Sequence, residues 1–368
     1  MDSAHQTNKQ DGRSLRLVTD YTQLNKHVMR PVHPFPSAMD VIKAIDPSSR
    51  VFAKFDAVKG YFQIPLTEEA SLLTTMLLPQ GRYKYLRAPM GLSCSSDEWN
   101  ARSDETISGL PGIIKLVDDI LIQGTSIEQL RERTQQLLER CREHQMTLSA
   151  KKRQIGNRIN FAGYIVSDKG TFVDPTKLQA IKYFPVPTDV SSLRSFLGLA
   201  NQLGPFVPDL AHLSEPLRGL LKKNVAFQWL PDHQSAFTLM TSILTSPTVV
   251  HPFNPDLETD LVTDASRLKG LGYALIQRAT DQPTRPRLVQ CGSRSLLPAE
   301  SRYATIELEA LAIVWAIGQC KHQLFGMPKP FRIVTDHKPL LGTFKKSWED
   351  IPNSRLQRLL YSNQTQMK

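Results

Sequence analysis

Lys115-Leu116-Val117-Asp118-Asp119-Ile120-Leu121-Ile122 decides how this chain is read. Two adjacent carboxylates stand between short aliphatic runs, with Ile113-Ile114 before them and Ile120-Leu121-Ile122 after. Apolar runs of this length around a short polar break predict two strands joined by a tight turn, with Asp118 and Asp119 at its tip. Strands that bury themselves and leave two negative charges at their apex need a positive partner. A hard cation with oxygen ligands answers that need, and Mg²⁺ requires only one or two carboxylates together with substrate phosphates. The alternative is a solvated Asp-Asp turn, and a third carboxylate from another strand end separates the two.

Val51-Phe52-Ala53-Lys54-Phe55-Asp56 supplies that third carboxylate. It is a β-rich run ending on an acid, the position where α/β folds gather ligands, although such an aspartate also caps helices. One carboxylate from a strand end and two from a hairpin suit a two-metal centre, in which paired Mg²⁺ ions serve an attacking hydroxyl and a leaving pyrophosphate.

The chain has 368 residues, enough for two or three domains with their own cores. Its net charge of +10 and pI near 9.4 favour a polyanionic partner, nucleic acid first. Cys94, Cys141, Cys291 and Cys320 lack metal-ligand spacing and form no disulfide framework, which fits a reducing compartment. No apolar run reaches membrane-spanning length and the polar start has no signal-peptide core, so no membrane partner is expected.

Leu15-Arg16-Leu17-Val18 predicts a strand, and the triple-proline segment Arg30 to Pro36 must be extended. A short helix over 37–45 has Ser37 as its cap. Ser126 or Thr125 opens an amphipathic helix whose Ile127, Leu130, Leu137 and Cys141 recur at helical spacing and are expected to cover the sheet. From about 172 to 246 the pattern is helical, with a capped helix from Asp189 to Ala200 and no cluster of catalytic types.

A second acidic constellation lies near the end. The alternating run from Leu257 ends on Asp264; strands are expected over 270–277 and 288–292, then a helix over 305–320 carrying Glu307 and Glu309, then a strand from Phe331 ending on Asp336. The order β-β-β-α-β with Asp, Glu and Asp in those places suits another two-metal phosphodiesterase centre.

Five ordered blocks, RLVTDYTQLN (16–25), FDAVKGYFQIPL (55–66), YLRAPMGLS (85–93), KLVDDILIQG (115–124) and FAGYIVSDKG (161–170), resemble the reverse transcriptase of gypsy-class LTR retrotransposons. VTDAS, IELEALAIVWA and VTDHKPL resemble the ribonuclease H domain that accompanies it. The resemblance covers about residues 8 to 360. It implies an α/β (α+β) architecture: right-hand polymerase fingers and palm over 1–166, a helical thumb and connection over 167–250, and a C-terminally truncated ribonuclease H-like mixed α/β domain over 251–368.

It also implies RNA-directed DNA polymerase activity, with Asp56, Asp118 and Asp119 as catalytic metal ligands, and hybrid-specific nuclease activity, with Asp264, Glu309 and Asp336 in that role. Glu309 is preferred to Glu307 because it sits in the family's helix frame. Tyr61 matches the aromatic beneath the incoming sugar, Arg16 and Lys9 the basic finger residues on the triphosphate, and Lys151 or Lys152 a basic residue near the pyrophosphate. The implied cofactor is Mg²⁺, with Mn²⁺ as a substitute, two ions per site. Implied partners are an RNA template, a DNA primer, RNA–DNA hybrid and dNTPs, with a homodimer or other Pol segments as further partners. The implied location is a cytoplasmic virus-like particle, or the nucleus.

The chain departs from the family at Leu116, where Tyr or Phe is usual, and at Met90 in the nucleotide pocket. It departs again at Cys94 to Asn100, which replaces Asn-Ala-Pro-x-x-Phe-Gln. A fourth metal-site residue of the nuclease has no counterpart before Lys368. Two alternatives follow: a nucleic-acid-binding remnant, or a polymerase whose shortened nuclease is inactive.

Overall fold

A computed structural model describes residues 5–10, 14–223, 225–246, 248–279, 282–344, 346 and 350–364, with side chains from residue 19 to residue 359 apart from the gaps and residues 282–283. It divides into two compact units, Met1–Ala162 and Gly163–Lys368.

In the first unit β1 (His5–Gln10) and β2 (Ser14–Thr19) form an antiparallel ribbon. After α1 (Ala38–Lys43), where Ser37 and Asp40 form a capping box, comes β3 (Val51–Asp56). Next are α2 (Glu68–Leu73), the hairpin β4 (Met76–Leu78) and β5 (Gly81–Tyr83), and α3 (Ser93–Ile107). The hairpin β6 (Ile113–Leu116) and β7 (Asp119–Gly124) leads into α4 (Ile127–Glu143), and β8 (Gln154–Gly156) and β9 (Arg158–Phe161) follow.

The central sheet runs β6-β7-β3-β8, antiparallel throughout. Its middle strands are mostly apolar because both faces are covered: Phe52, Ala53, Leu121 and Ile122 are fully buried. α4 lies on β3 and β7, with Leu130, Leu137 and Cys141 facing the core. Ile127 belongs to the same helical stripe but is 70% exposed, against the expectation from spacing. Burial begins one turn later, at Leu130, so the first turn stands clear of the core.

The second unit opens with β10 (Tyr164–Ser167) and β11 (Gly170–Val173), followed by α5 (Pro175–Lys182), α6 (Val190–Asn201), α7 (Leu210–Gly219) and α8 (Pro231–Leu244). The helices meet around Leu193, Phe196, Leu217 and Met240, with Phe196 and Phe237 in contact at 4.6 Å between ring centroids. β12 (Val249–Val250) pairs with β11. Then come β13 (Glu258–Ser266), β14 (Gly270–Ala279), β15 (Gln282–Arg294), α9 (Thr305–Gln319), α10 (Lys321–Leu324), β16 (Arg332–Val334), α11 (Lys338–Phe344) and α12 (Ser354–Gln364).

This sheet runs β15-β14-β13-β16, antiparallel except for the parallel pair β13–β16. α9 covers one face by packing Ala310, Ile313 and Ile317 against Leu261, Leu275 and Val289. α7 packs against β15, where the Ala211 amide donates to Ser293 Oγ at 2.9 Å. β16 is shorter than its sequence suggests and stops two residues before Asp336, which therefore lies in the connection to α11.

Leu137 is fully buried on α4, so Leu137→Ala is expected to destabilise the first unit by about 3 kcal/mol, whereas Ile127→Ala shifts it by less than about 0.5 kcal/mol. Urea unfolding followed by hydrogen exchange in α4 checks the contrast, and equal effects would contradict it.

Candidate active sites

The β6–β7 hairpin closes with Leu116 paired to Asp119, so its two-residue loop is Val117-Asp118. Asp119 is not at the tip: it is already in β7, directly opposite Asp56 on β3. Val117 has φ +55°, an uncommon conformation for a β-branched residue, while Asp118 is not in that region. These are the φ signs of a type II′ turn, normally met by glycine at the first position. The Trp99 indole N–H donates to the Val117 carbonyl at 3.2 Å, and the Ala57 amide donates to the Asp118 carbonyl at 2.9 Å.

Three carboxylates thus gather at one end of the sheet. Asp118 is half-buried, and its Oδ1 is buried without a hydrogen-bond partner. Burial pushes its carboxyl above the usual range, and the charges of Asp56 and Asp119 push the same way. Asp119 is ion-paired with Lys54 at 2.8 Å and Asp56 with Lys152 at 3.0 Å. Lys151 and Lys152, the two lysines the sequence offers for this position, are both exposed, and it is Lys152 that reaches a carboxylate. An orphaned carboxylate oxygen among acidic neighbours fits a hard cation. Asp56 and Asp118 are the residues that would hold it.

Gly60 follows Asp56 by four residues, and a Cβ there would lie 2.6 Å from Asp118 Oδ1 and 2.7 Å from the Trp99 ring. Tyr61 is partly buried against the palm core, and Met90 is partly exposed. Arg16 and Lys9 lie on β2 and β1, where they pair with Asn8 and Leu15; their side chains fall outside the described residues.

Lys115 was not anticipated. It is a charged residue inside an apolar strand run, and that interruption is the signal for it. Its ammonium is buried, donating to Ser103 Oγ at 2.7 Å and Asn100 Oδ1 at 3.1 Å, and pairing with Asp104 at 3.0 Å. Burial holds its pKa below the ordinary lysine value. Asp104 also contacts His33 at 2.7 Å, while Asp97 is ion-paired with Arg30, so the proline-rich segment is fastened to α3.

In the second unit, Asp264 near the end of β13, Glu309 on α9 and Asp336 after β16 each offer an oxygen within 4.8 Å of the others. Among the described residues this is the one such set of three. β13 and β16 are parallel, and the site lies at their carboxyl ends, where parallel strands leave a crevice. Glu309 is buried; its carboxyl is pushed up to about 7 by burial first, then by Asp336 and Asp264. Glu307 faces elsewhere: it accepts from the Ala304 amide and Asn353 and is ion-paired with Arg355 at 2.9 Å. Three converging hard-oxygen donors, one with its pKa raised by burial and by its two acidic neighbours, fit a divalent cation. Arg218 is braced by Ser214 and Asn201, whereas Lys222 and Lys223 are exposed.

Residues 7–166 match the sequence model of the family described as reverse transcriptase (RNA-dependent DNA polymerase). Residues 254–363 match that of the RNase H-like domain found in reverse transcriptase. This chain belongs to the reverse transcriptase–ribonuclease H family of LTR-retrotransposon Pol polyproteins. It is 30% identical over 352 residues to the retrovirus-related Pol polyprotein from transposon 412 of Drosophila melanogaster, covering 95% of this chain and 28% of that protein. To the Pol polyprotein from transposon gypsy of the same organism it is 32% identical over 341 residues, covering 88% and 32%. The transposon Tf2-3 polyprotein of Schizosaccharomyces pombe is 28% identical, with 95% and 26% covered. The chain therefore spans about a quarter to a third of these relatives.

The fold is similar to the foamy viral protease-reverse transcriptase dRH in complex with ds DNA: TM-score 0.84, 16% identity, 99% of this chain and 64% of that one. The same viral protein in complex with RNA/DNA hybrid gives a TM-score of 0.77 at 16% identity, covering 98% and 48%.

A carboxyl with a pKa about 7 competes with a cation for the same oxygens, so at pH 7 cation binding at the Glu309 site expels roughly half a proton. As pH falls through 7 the carboxyl protonates, its charge is lost and affinity falls. Titration calorimetry with Mg²⁺ in buffers of different ionisation heat checks this. The parent chain is expected to show buffer-dependent heats that Glu309→Gln lacks; identical heats in both proteins would contradict it.

Proposed function

We propose that the chain extends a DNA primer on an RNA template with dNTPs, and that its second unit cuts the RNA strand of the resulting hybrid. The observation that carries this is the placement of two acidic sets, Asp56–Asp118–Asp119 and Asp264–Glu309–Asp336, within the segments that match the polymerase and nuclease families.

In the palm, Asp56 and Asp118 would hold two Mg²⁺ ions, with Mn²⁺ as a substitute, and Asp119 adds charge from the paired strand. Bound there, the cations supply activation of the primer hydroxyl and neutralisation of the leaving pyrophosphate. Lys152 lies close enough to exchange its carboxylate for a phosphate oxygen, and Arg16 and Lys9 would contact the triphosphate. Tyr61 and Met90 would shape the sugar pocket. In the nuclease, Asp264, Glu309 and Asp336 would hold the cations beside the scissile RNA phosphate. Neither reaction needs a protein nucleophile. The net charge of +10 supports binding of the template–primer backbone.

The test is primer extension with an RNA template, DNA primer, dNTPs and Mg²⁺, alongside cleavage of a labelled RNA–DNA hybrid. Asp118→Asn is expected to lower extension by on the order of 10³-fold and leave cleavage intact, with Asp264→Asn doing the reverse. Hybrid binding without either reaction, in Mg²⁺ or Mn²⁺, would contradict the proposal and leave a binding remnant.

A further inference from the structure

The turn that presents Asp118 is held from outside its own strands. Val117 sits at positive φ with a β-branched side chain, and a two-residue loop of this kind leaves its first carbonyl without a ladder partner. The Trp99 N–H takes that carbonyl at 3.2 Å from the middle of α3, and the Trp99 ring is 3% exposed. A Cβ on Gly60, four residues after Asp56, would collide with both this ring and Asp118 Oδ1. One turn further along α3, Asn100, Ser103 and Asp104 anchor β6 through buried Lys115.

We propose that Trp99 is a positioning residue for nucleotidyl transfer: its indole N–H on the Val117 carbonyl fixes the turn so that the Asp118 carboxylate faces Asp56. The proposal deepens the polymerase reading and rests on it. Trp99 touches neither primer nor nucleotide in this role; it acts through the backbone of Val117, and its indole also lies against the Asp118 carboxyl. Asp118 projects from the next residue, so a rotation of the Val117 peptide swings its carboxylate directly. Misplacement of a metal-holding group by about 1 Å lowers turnover by up to roughly a hundredfold.

The deciding variant is Trp99→Phe, which retains a buried ring and removes the donor. Two readouts are taken on the whole chain. Hydrogen exchange at the amides of residues 116–119 is expected to speed by about tenfold, with exchange in β3 and α4 unchanged. In primer extension the variant is expected to lose about ten- to a hundredfold in kcat with KM for the dNTP nearly constant, and to need more Mg²⁺ for half-maximal rate. RNA cleavage by the second unit serves as the internal control and stays unchanged.

Unchanged exchange at the turn, or faster exchange with kcat unaltered in an active parent, overturns the positioning role while leaving the polymerase reading in place. Absence of extension by the parent chain overturns the polymerase reading itself, and the positioning role falls with it. A drop in kcat accompanied by loss of exchange protection across β3 and α4 identifies Trp99 as a packing residue only and also overturns the proposal.

Discussion

The structure depends on holding like charges together. Carboxylates a few ångströms apart repel, and burying them raises the cost of ionisation, so each set stays assembled only because the backbone fixes it. In the palm the fixing is done by register: Asp119 on β7 is paired with Asp56 on β3, and Asp118 is held one residue away by a turn that cannot relax. In the second unit it is done by topology, since the parallel pair β13–β16 brings two strand ends together and α9 lays Glu309 across them.

The two sites settle their charge differently. Asp56 and Asp119 are paired with Lys152 and Lys54, leaving Asp118 as the group with an unpartnered buried oxygen. Among the described residues the nuclease-like set has no lysine partner of that kind, and proton uptake by Glu309, with its carboxyl at about 7, relieves the repulsion. A cation at either place replaces an ion pair or a proton with a stronger, multidentate partner. Both sites are in this sense built around a positive charge.

Much of this was legible in the sequence. Apolar runs flanked by acids, broken only by Lys54 and Lys115, marked β3 and the β6–β7 hairpin because the sheet is covered on both faces. The β-β-β-α-β order followed from the sequence pattern and the choice of Glu309 from the family resemblance, and the structure adds that Glu307 is occupied by Arg355. Other features were not legible, for identifiable reasons. Periodicity alone cannot say where a helix leaves its sheet, so Ile127 was expected inside and lies outside. Adjacent lysines in a loop look alike until the loop is folded, and Lys152 rather than Lys151 reaches Asp56. The positive φ at Val117 and the Trp99 donor that answers it are tertiary facts, without a local signature in an Asp-Asp motif.

The central claim is that two separate carboxylate centres hold divalent cations. Crystals of the chain soaked in Mn²⁺, with anomalous scattering measured above the manganese edge, test it most directly. The account predicts peaks between Asp56 and Asp118 and among Asp264, Glu309 and Asp336, two ions at each centre, with Lys152 displaced from Asp56. Absence of a peak at either centre, with Asp56 and Asp119 still paired to their lysines, would contradict it.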